Sequence, residues 1–340
     1  MDLLPSDEQN QIIDTVRNVL ADHAPVSRFR DAKRQIGNDD ARLWPRLANL
    51  GLLGISLPAD VGGTGLGSAD EALLYREFGR SLLSPSILGV MLGARLAWRA
   101  GEMELCEALL SGKTRVGLGN LRGPASIGRS CSGEFQLIEG NADWIFLFAE
   151  EGAALLPRDA FKDFETVPST DSLLRLERGS LASTSAKVWV SSATDSAYLR
   201  AILFLGAYAV GMSEAARDMA VQYALLREQF GQLIGSFQAI KHKCSDMAIR
   251  SEAAYCQMLF ASQVLDMDGP DATFQAVACK IVATDAAKKN AAQNIQIHGA
   301  IGFTAEIDAH LYVKRTHVID ALGGDLRRQR ALLLKEPTPA

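Results

Sequence analysis

Two short segments bring together residue types suited to a phosphate-bearing ligand. The first is Arg227-Glu-Gln-Phe230-Gly231, at the end of a helical run, with Phe237-Gln238 just beyond it. An arginine guanidinium is a planar fork of donors matched to phosphate oxygens. Phe230 offers a flat face, and Gly231 lets another backbone come close. The same residues also read as a plain helix end, an arginine on the C-terminal dipole followed by a glycine cap. The second segment is Gln296-Ile-His-Gly299-Ala-Ile-Gly302-Phe303. Its paired glycines allow backbone N–H groups to face a phosphate, with Gln296 as an amide clamp. A simple helix stop fits it equally well. Taken one at a time, both patterns leave the two readings open.

Other chemistries are excluded or weak. The chain contains no Gly-x-Ser-x-Gly, P-loop, GxGxxG or HExxH motif. His23, His242, His298, His310 and His317 show no metal-ligand spacing. Cys106, Cys131, Cys244, Cys256 and Cys279 are scattered and form no CxxC pair. They are expected to be buried small hydrophobes in a reducing compartment, and a cytoplasmic location is expected. Lys plus Arg number 35 against 40 Asp plus Glu, a net charge of −5, which argues against nucleic-acid binding. No uninterrupted apolar run is expected to cross a bilayer. The opening Met-Asp-Leu-Leu-Pro does not read as a signal peptide.

The elements that must position these residues follow from periodicity. Residues 1–112 read as a helical domain. Ser6-Asp-Glu-Gln caps a first helix with Ile12, Ile13, Val16, Val19 and Leu20 on its apolar face. A second helix is expected from Ala41 to Leu50, then the glycine-rich loop Leu57–Gly67, then a helix opened by Asp70. Residues 113–196 change character. Short apolar runs at Arg115–Leu118, Phe135–Ile138, Trp144–Phe148, Leu173–Leu176 and Lys187–Val190 predict a small β domain. Residues 197–340 are helical again. Phe237, Cys244, Ser251 and Met258, interleaved with Ile240, Met247, Ala254 and Ala261, mark one stripe of a long helix. Gly269-Pro270 ends it, and a second long helix runs from Asp271 to Gln296. Long helices with narrow seams imply an antiparallel bundle.

In combination the motifs are specific. Leu57-Pro-Ala-Asp-Val-Gly-Gly-Thr-Gly-Leu-Gly67, Arg76-Glu-Phe-Gly-Arg80, Arg227-Glu-Gln-Phe-Gly231 and Gln296–Phe303 resemble segments of the acyl-CoA dehydrogenase family, although Ala300 stands where a second glycine is usual. The resemblance implies a mainly α fold with a small β domain: an N-terminal helical domain, a reduced middle β-barrel and a C-terminal four-helix bundle. It implies FAD as cofactor. It assigns Arg227, Phe230, Gln238, Gln296, Gly299 and Gly302 to the FAD adenosine and pyrophosphate, reached across a subunit interface.

The resemblance fails where the chemistry should be. The family removes an α-proton with a glutamate while a β-hydride passes to the flavin, so it needs a well-placed carboxylate. The two positions that carry this glutamate fall on Gly323 and Ala201 here. Leu121–Arg129 replaces the family's flavin-ring loop, and Phe135–Gly140 runs almost directly into Asn141–Phe148, as if a hairpin were deleted. The sequence therefore resembles the short non-catalytic subunit of heteromeric α2β2 bacterial acyl-CoA dehydrogenases of steroid side-chain degradation. Its expected partners are a homologous catalytic subunit, an acyl-CoA substrate within the complex and an electron-transferring flavoprotein. Two alternatives stand. One is a complete homo-oligomeric enzyme with a displaced base, Asp325 before Asp320 or Glu306. The other is a non-redox structural or acyl-CoA-binding relative.

Overall fold

The computed structural model describes residues 3–30 and 43–337. The helices are α1 (Asp7–His23), α2 (Trp44–Asn49), α3 (Ser68–Arg80), α4 (Ile87–Arg99), α5 (Met103–Leu110), α6 (Ala197–Leu226), α7 (Gln238–Asp266), α8 (Ala272–His298), α9 (Ala309–Ala321) and α10 (Leu326–Leu333). Between α5 and α6 lie β1 (Val116–Ser126), β2 (Ser130–Ile138), β3 (Trp144–Ala149), β4 (Gly152–Pro157), β5 (Lys162–Val167), β6 (Leu176–Ser185) and β7 (Val188–Ser191). A two-residue-arm hairpin, β8 (Glu228–Gln229) and β9 (Gln232–Leu233), separates α6 from α7. The expected start of the second helix, Ala41, lies outside the described residues. The chain divides into two compact units, residues 1–32, 72–82 and 203–340 in one and residues 33–71 and 83–202 in the other.

In the second unit the strands form one seven-stranded sheet, ordered β5-β6-β2-β1-β3-β4-β7. β1 and β3 pair in parallel, and the other neighbours are antiparallel. One face buries Phe135, Leu137, Ile145, Leu147, Leu156 and Leu181. Alternation along β2 puts Phe135 and Leu137 on that face. Sequence periodicity found β1, β2, β3 and β7, and it anticipated β6 three residues early, at Leu173. It missed β4 and β5. β4 is buried at Gly152, Ala153, Ala154, Leu155 and Leu156, a short apolar run without the alternation of a half-exposed strand. β5 (Lys-Asp-Phe-Glu-Thr-Val) is largely exposed and highly charged, as suits an edge. In the same unit the Leu57–Gly67 loop is held by backbone proximity. A Cβ on Gly63 would lie 2.0 Å from the Leu57 carbonyl oxygen.

The first unit is helical. Ser6 and Gln9 form a reciprocal capping box at α1, whose buried stripe is Ile13, Val16 and Leu20. Ile12 and Val19 flank it, half-buried. α3 and α6 cross at backbone contact. A Cβ on Gly79 would stand 2.0 Å from the Tyr208 carbonyl oxygen, and one on Gly211 would stand 1.8 Å from that of Arg76. Around this crossing, Arg76 donates to Glu214 at 2.8 Å, Arg80 donates to Asp218 at 2.7 Å, and the Tyr75 and Phe204 rings stack. Arg76-Glu-Phe-Gly79-Arg80 thus reads as a packing motif, with glycine where the helices touch.

α7 and α8 run where the stripe and the alanine-rich segment placed them. Met247, Ser251, Ala254, Met258 and Ala261 are buried, as the stripe requires. At the centre of the bundle the Asn290 side-chain amide donates to both Ser213 Oγ and Ser251 Oγ, while Arg250 donates to its oxygen at 2.9 Å. Two expectations need correction. α6 is long and apolar enough to cross a membrane by length and composition, but 89% of its most apolar window is buried inside the protein, as in a core helix. The cysteines are not uniformly interior. Cys106, Cys131 and Cys279 are buried, Cys244 is half-buried and Cys256 is exposed. Cys279, fully enclosed, has its thiol pushed up to about 12 by burial and is chemically inert at neutral pH.

Candidate functional site

The two motif segments meet at one end of the helical unit. α6 closes with the Arg227 N–H donating to the Tyr223 carbonyl at 2.9 Å. The β8–β9 hairpin follows, shut by the Ile234 N–H donating to the Arg227 carbonyl at 2.8 Å. Its turn places Phe230 at φ +55° and Gly231 at φ +78°. Two consecutive left-handed residues make the turn that fits a tight hairpin. Glycine adopts this readily; a bulky residue at the first position is strained. Gly235 lets the chain return, because a Cβ there would lie 2.8 Å from the Ala224 carbonyl oxygen. Gln238 then opens α7, exposed.

From the other side, α8 ends at His298. Gly299 has φ +68° and ψ −145°, a conformation glycine alone accepts easily, and a Cβ there would meet nothing within 4 Å. Gln296 is exposed on the last turn. Gly302 differs. It is buried, and a Cβ would lie 2.9 Å from the Ile295 carbonyl oxygen, so it serves a tight return of the chain. A small core ties these ends together: Ala220, Ala224, Met247 and Ile297, with Tyr223, Ile234, Ile240 and Cys244 packed against them. The sequence singled out Arg227, Phe230, Gln238, Gln296 and Gly299, and the fold brings the segments that carry them to this one core. Gly235 and the Tyr223–His298 stack were missed. A glycine between Ile234 and Ser236 and a histidine inside the Gln296–Phe303 segment carried no distinctive spacing.

Among the described residues the side chains of Arg227, Gln238 and Gln296 make no hydrogen bond or ion pair, and the Phe230 ring meets Phe237 edge-on with centroids 6.2 Å apart. Phe230 is 93% exposed, Phe303 74% and Leu226 79%, an unusual concentration of apolar surface. Arg227 is exposed and makes no ion pair among the described residues. A free guanidinium, two exposed amides, an open glycine backbone and an aromatic face suit the adenosine and pyrophosphate end of FAD.

The position expected to hold a base is organised in the opposite way. After α9 the chain turns through Leu322, Gly323 and Gly324, the glycines at φ +66° and +100°. Lys280 of α8 is fully buried beneath this turn. Its ammonium group donates to the Leu322 carbonyl and, at 2.7 Å, to the Gly324 carbonyl. Gln329 donates to the Gly323 carbonyl at 2.7 Å. Burial pulls Lys280 down to about 7, against the opposing pull of Asp320 and Asp325. The carboxylates are occupied. Asp320 accepts from Lys288 Nζ at 2.6 Å and from the Leu326 N–H at 3.0 Å. Asp325 is the N-cap of α10, accepting from the Arg328 N–H at 2.9 Å, and is exposed. Glu306 is exposed, and Ala201 is buried with no acid.

Most of the Leu121–Arg129 segment is strand, and only residues 127–129 make the turn that follows it. β1 continues to Ser126 with a bulge after Arg122, and β2 begins at Ser130. Ser126 and Ser132 hydroxyls pair at 3.1 Å, and those of Ser130 and Ser183 at 3.0 Å.

Comparison with known proteins fits this geometry. Residues 6–115 match the model of the acyl-CoA dehydrogenase N-terminal domain, and residues 197–336 that of the C-terminal domain. Acyl-CoA dehydrogenase IpdE2 of Mycobacterium tuberculosis is 31% identical, over 93% of this chain and 92% of its own length. The chain belongs to the acyl-CoA dehydrogenase family. The family is an oxidoreductase family, and its cofactor is FAD. Acyl-CoA dehydrogenase FadE34 of the same organism is 33% identical over 96% of this chain, which spans only about half (48%) of that protein. The fold matches that in the crystal structure of the ChsE4–ChsE5 complex from Mycobacterium tuberculosis, with a TM-score of 0.84 at 22% identity, covering 99% of this chain and 100% of that one.

Proposed function

We propose that this chain is the supporting subunit of a two-subunit, FAD-dependent acyl-CoA dehydrogenase. The observation that carries the proposal is the contrast just described. The polar cofactor-suited side chains face outward with no internal partner among the described residues, while the base position holds glycines locked into the fold. When bound, FAD supplies the two-electron acceptor for α,β-dehydrogenation of an acyl-CoA thioester. Arg227 grips phosphate oxygens, Gln238 and Gln296 orient the adenosine end, and Phe230 packs against it and excludes water. Gly299 admits close approach of the pyrophosphate, and Gly302 shapes the turn that carries it. A homologous partner subunit, of the kind the ChsE4–ChsE5 complex exemplifies, supplies the base, the flavin-ring contacts and the acyl pocket. The acyl group proposed is a steroid side chain and the electron acceptor an electron-transferring flavoprotein. The assembly is proposed to be cytoplasmic.

The competing homo-oligomeric reading needs Asp325 as base. A carboxylate that caps a helix N-terminus and stands open to solvent is already engaged within its own fold and lies outside any water-excluded pocket where a substrate proton could be taken. The test is purification of the chain alone and with its partner, reading flavin absorbance and native mass. A colourless chain that becomes a yellow, active mixed complex supports the proposal. A yellow, active homo-oligomer overturns it.

A further inference from the structure

The two halves of the candidate grip hang from different helix ends. Arg227 and Phe230 follow α6, and Gln296 and Gly299 close α8. A single ligand can be held by both only if these ends keep a fixed register. The small apolar core beneath them is built largely of alanine, isoleucine and methionine, which pack without directional preference.

One contact does have direction. The rings of Tyr223 and His298 stack with centroids 4.1 Å apart and planes 24° from parallel. Tyr223 lies one turn before Arg227, and its carbonyl is the acceptor of the Arg227 N–H. His298 lies between Gln296 and Gly299. Its Nδ1 sits 2.9 Å from the Asn294 carbonyl oxygen, which can only accept, so Nδ1 carries the proton and the ring orientation is set. Asn294 in turn donates to the Met219 sulfur at 3.3 Å, a second link from α8 to α6 one turn further back. Burial lowers the affinity of the His298 imidazole for a proton, although its bond to the Asn294 carbonyl pulls the other way.

We propose that the Tyr223–His298 stack is the positioning device that holds Arg227 and Phe230 in register with Gln296 and Gly299. This rests on the reading that the chain contacts FAD, and the test separates the two ideas. FAD affinity is measured by flavin fluorescence in the assembled two-subunit complex, beside native mass and thermal midpoint. Tyr223→Phe keeps the ring and is expected to bind FAD as the wild type does. Tyr223→Leu removes the stack and is expected to weaken FAD about tenfold, with native mass unchanged and only a small fall in the thermal midpoint. His298→Leu is expected to do the same. The double variant is expected to be no worse than either single one, because both break one contact.

If Arg227→Ala weakens FAD while Tyr223→Leu does not, the positioning role is overturned and the FAD-contact reading stands. If neither changes FAD affinity, that reading falls, and the positioning role with it. Additive losses in the double variant would also overturn it, because they would show two independent roles. Should the Tyr223→Leu chain fail to assemble, Tyr223→His against His298→Leu poses the same comparison: a ring retained should bind normally, and a ring lost should not.

Discussion

The end of the α6–α8 bundle and the turn after α9 belong to the same compact unit, and both are helix ends built on left-handed glycines. They use their polar groups in opposite ways. At the bundle end, Arg227, Gln238 and Gln296 point outward, and Phe230 sits exposed in a strained turn. After α9, the carbonyls of Leu322, Gly323 and Gly324 and the carboxylates of Asp320 and Asp325 all serve internal partners. Groups that stabilise nothing within their own chain are free to serve another molecule. Groups absorbed into caps and tethers have become architecture.

The sharpest way to break this comparison is at Lys280. Lys280→Met removes the buried donor that the Leu322 and Gly324 carbonyls share, leaving Gly324 only the long contact from Gln329 at 3.4 Å, and should destabilise the chain by about 2–4 kcal/mol in urea unfolding. The wild type should also carry a pH signature. Burial lowers Lys280 to about 7 in the folded chain, against 10.5 for the solvated side chain of the unfolded one. Between these values the unfolded chain binds the extra proton, so stability should rise with pH from about 7 to 10.5. The neutral amine still donates to both carbonyls. The Lys280→Met chain should lack the rise. A wild type whose stability falls over this window would contradict the buried tether.

The next effect is at the bundle end. Arg227→Ala should weaken FAD about ten- to hundredfold in the mixed complex and leave the urea midpoint of the chain alone unmoved. Asp325→Ala should cost about 1 kcal/mol, the value of an N-cap, whereas Asp325→Asn should keep both stability and the activity of the complex. Abolished turnover in the Asn variant would restore Asp325 as a base. The smallest effect is expected at Phe230→Ala, within about 0.5 kcal/mol in unfolding of the isolated chain, because the ring is largely exposed and meets Phe237 only edge-on. A larger loss would mean that this aromatic serves its own fold.

Much of this was legible in the sequence. The stripe from Ile240 to Ala261 and the Ser6 capping box depend on local spacing, and both were found. So were the motif segments around Arg227 and Gln296, whose residue types are distinctive. β4 and β5 were not, because a continuous apolar run and a charged edge strand both lack period-two alternation. Lys280 was invisible for a different reason. A lysine in an alanine-rich helix looks solvated until the chain that returns over it, some forty residues later, is in place. The Tyr223–His298 stack joins residues still further apart in sequence, and nothing at either position signals the other.

The crossing of α3 and α6 has an evolutionary consequence. The Cβ atoms absent from Gly79 and Gly211 would strike backbone atoms of the facing helix, not its side chains. No second-site substitution can therefore make room for a methyl group at either position, because a backbone carbonyl cannot be made smaller. Neither glycine can covary with a residue on the opposite helix. Each should stay fixed while its neighbours drift, so the tightest contact between these helices would leave no trace among correlated changes.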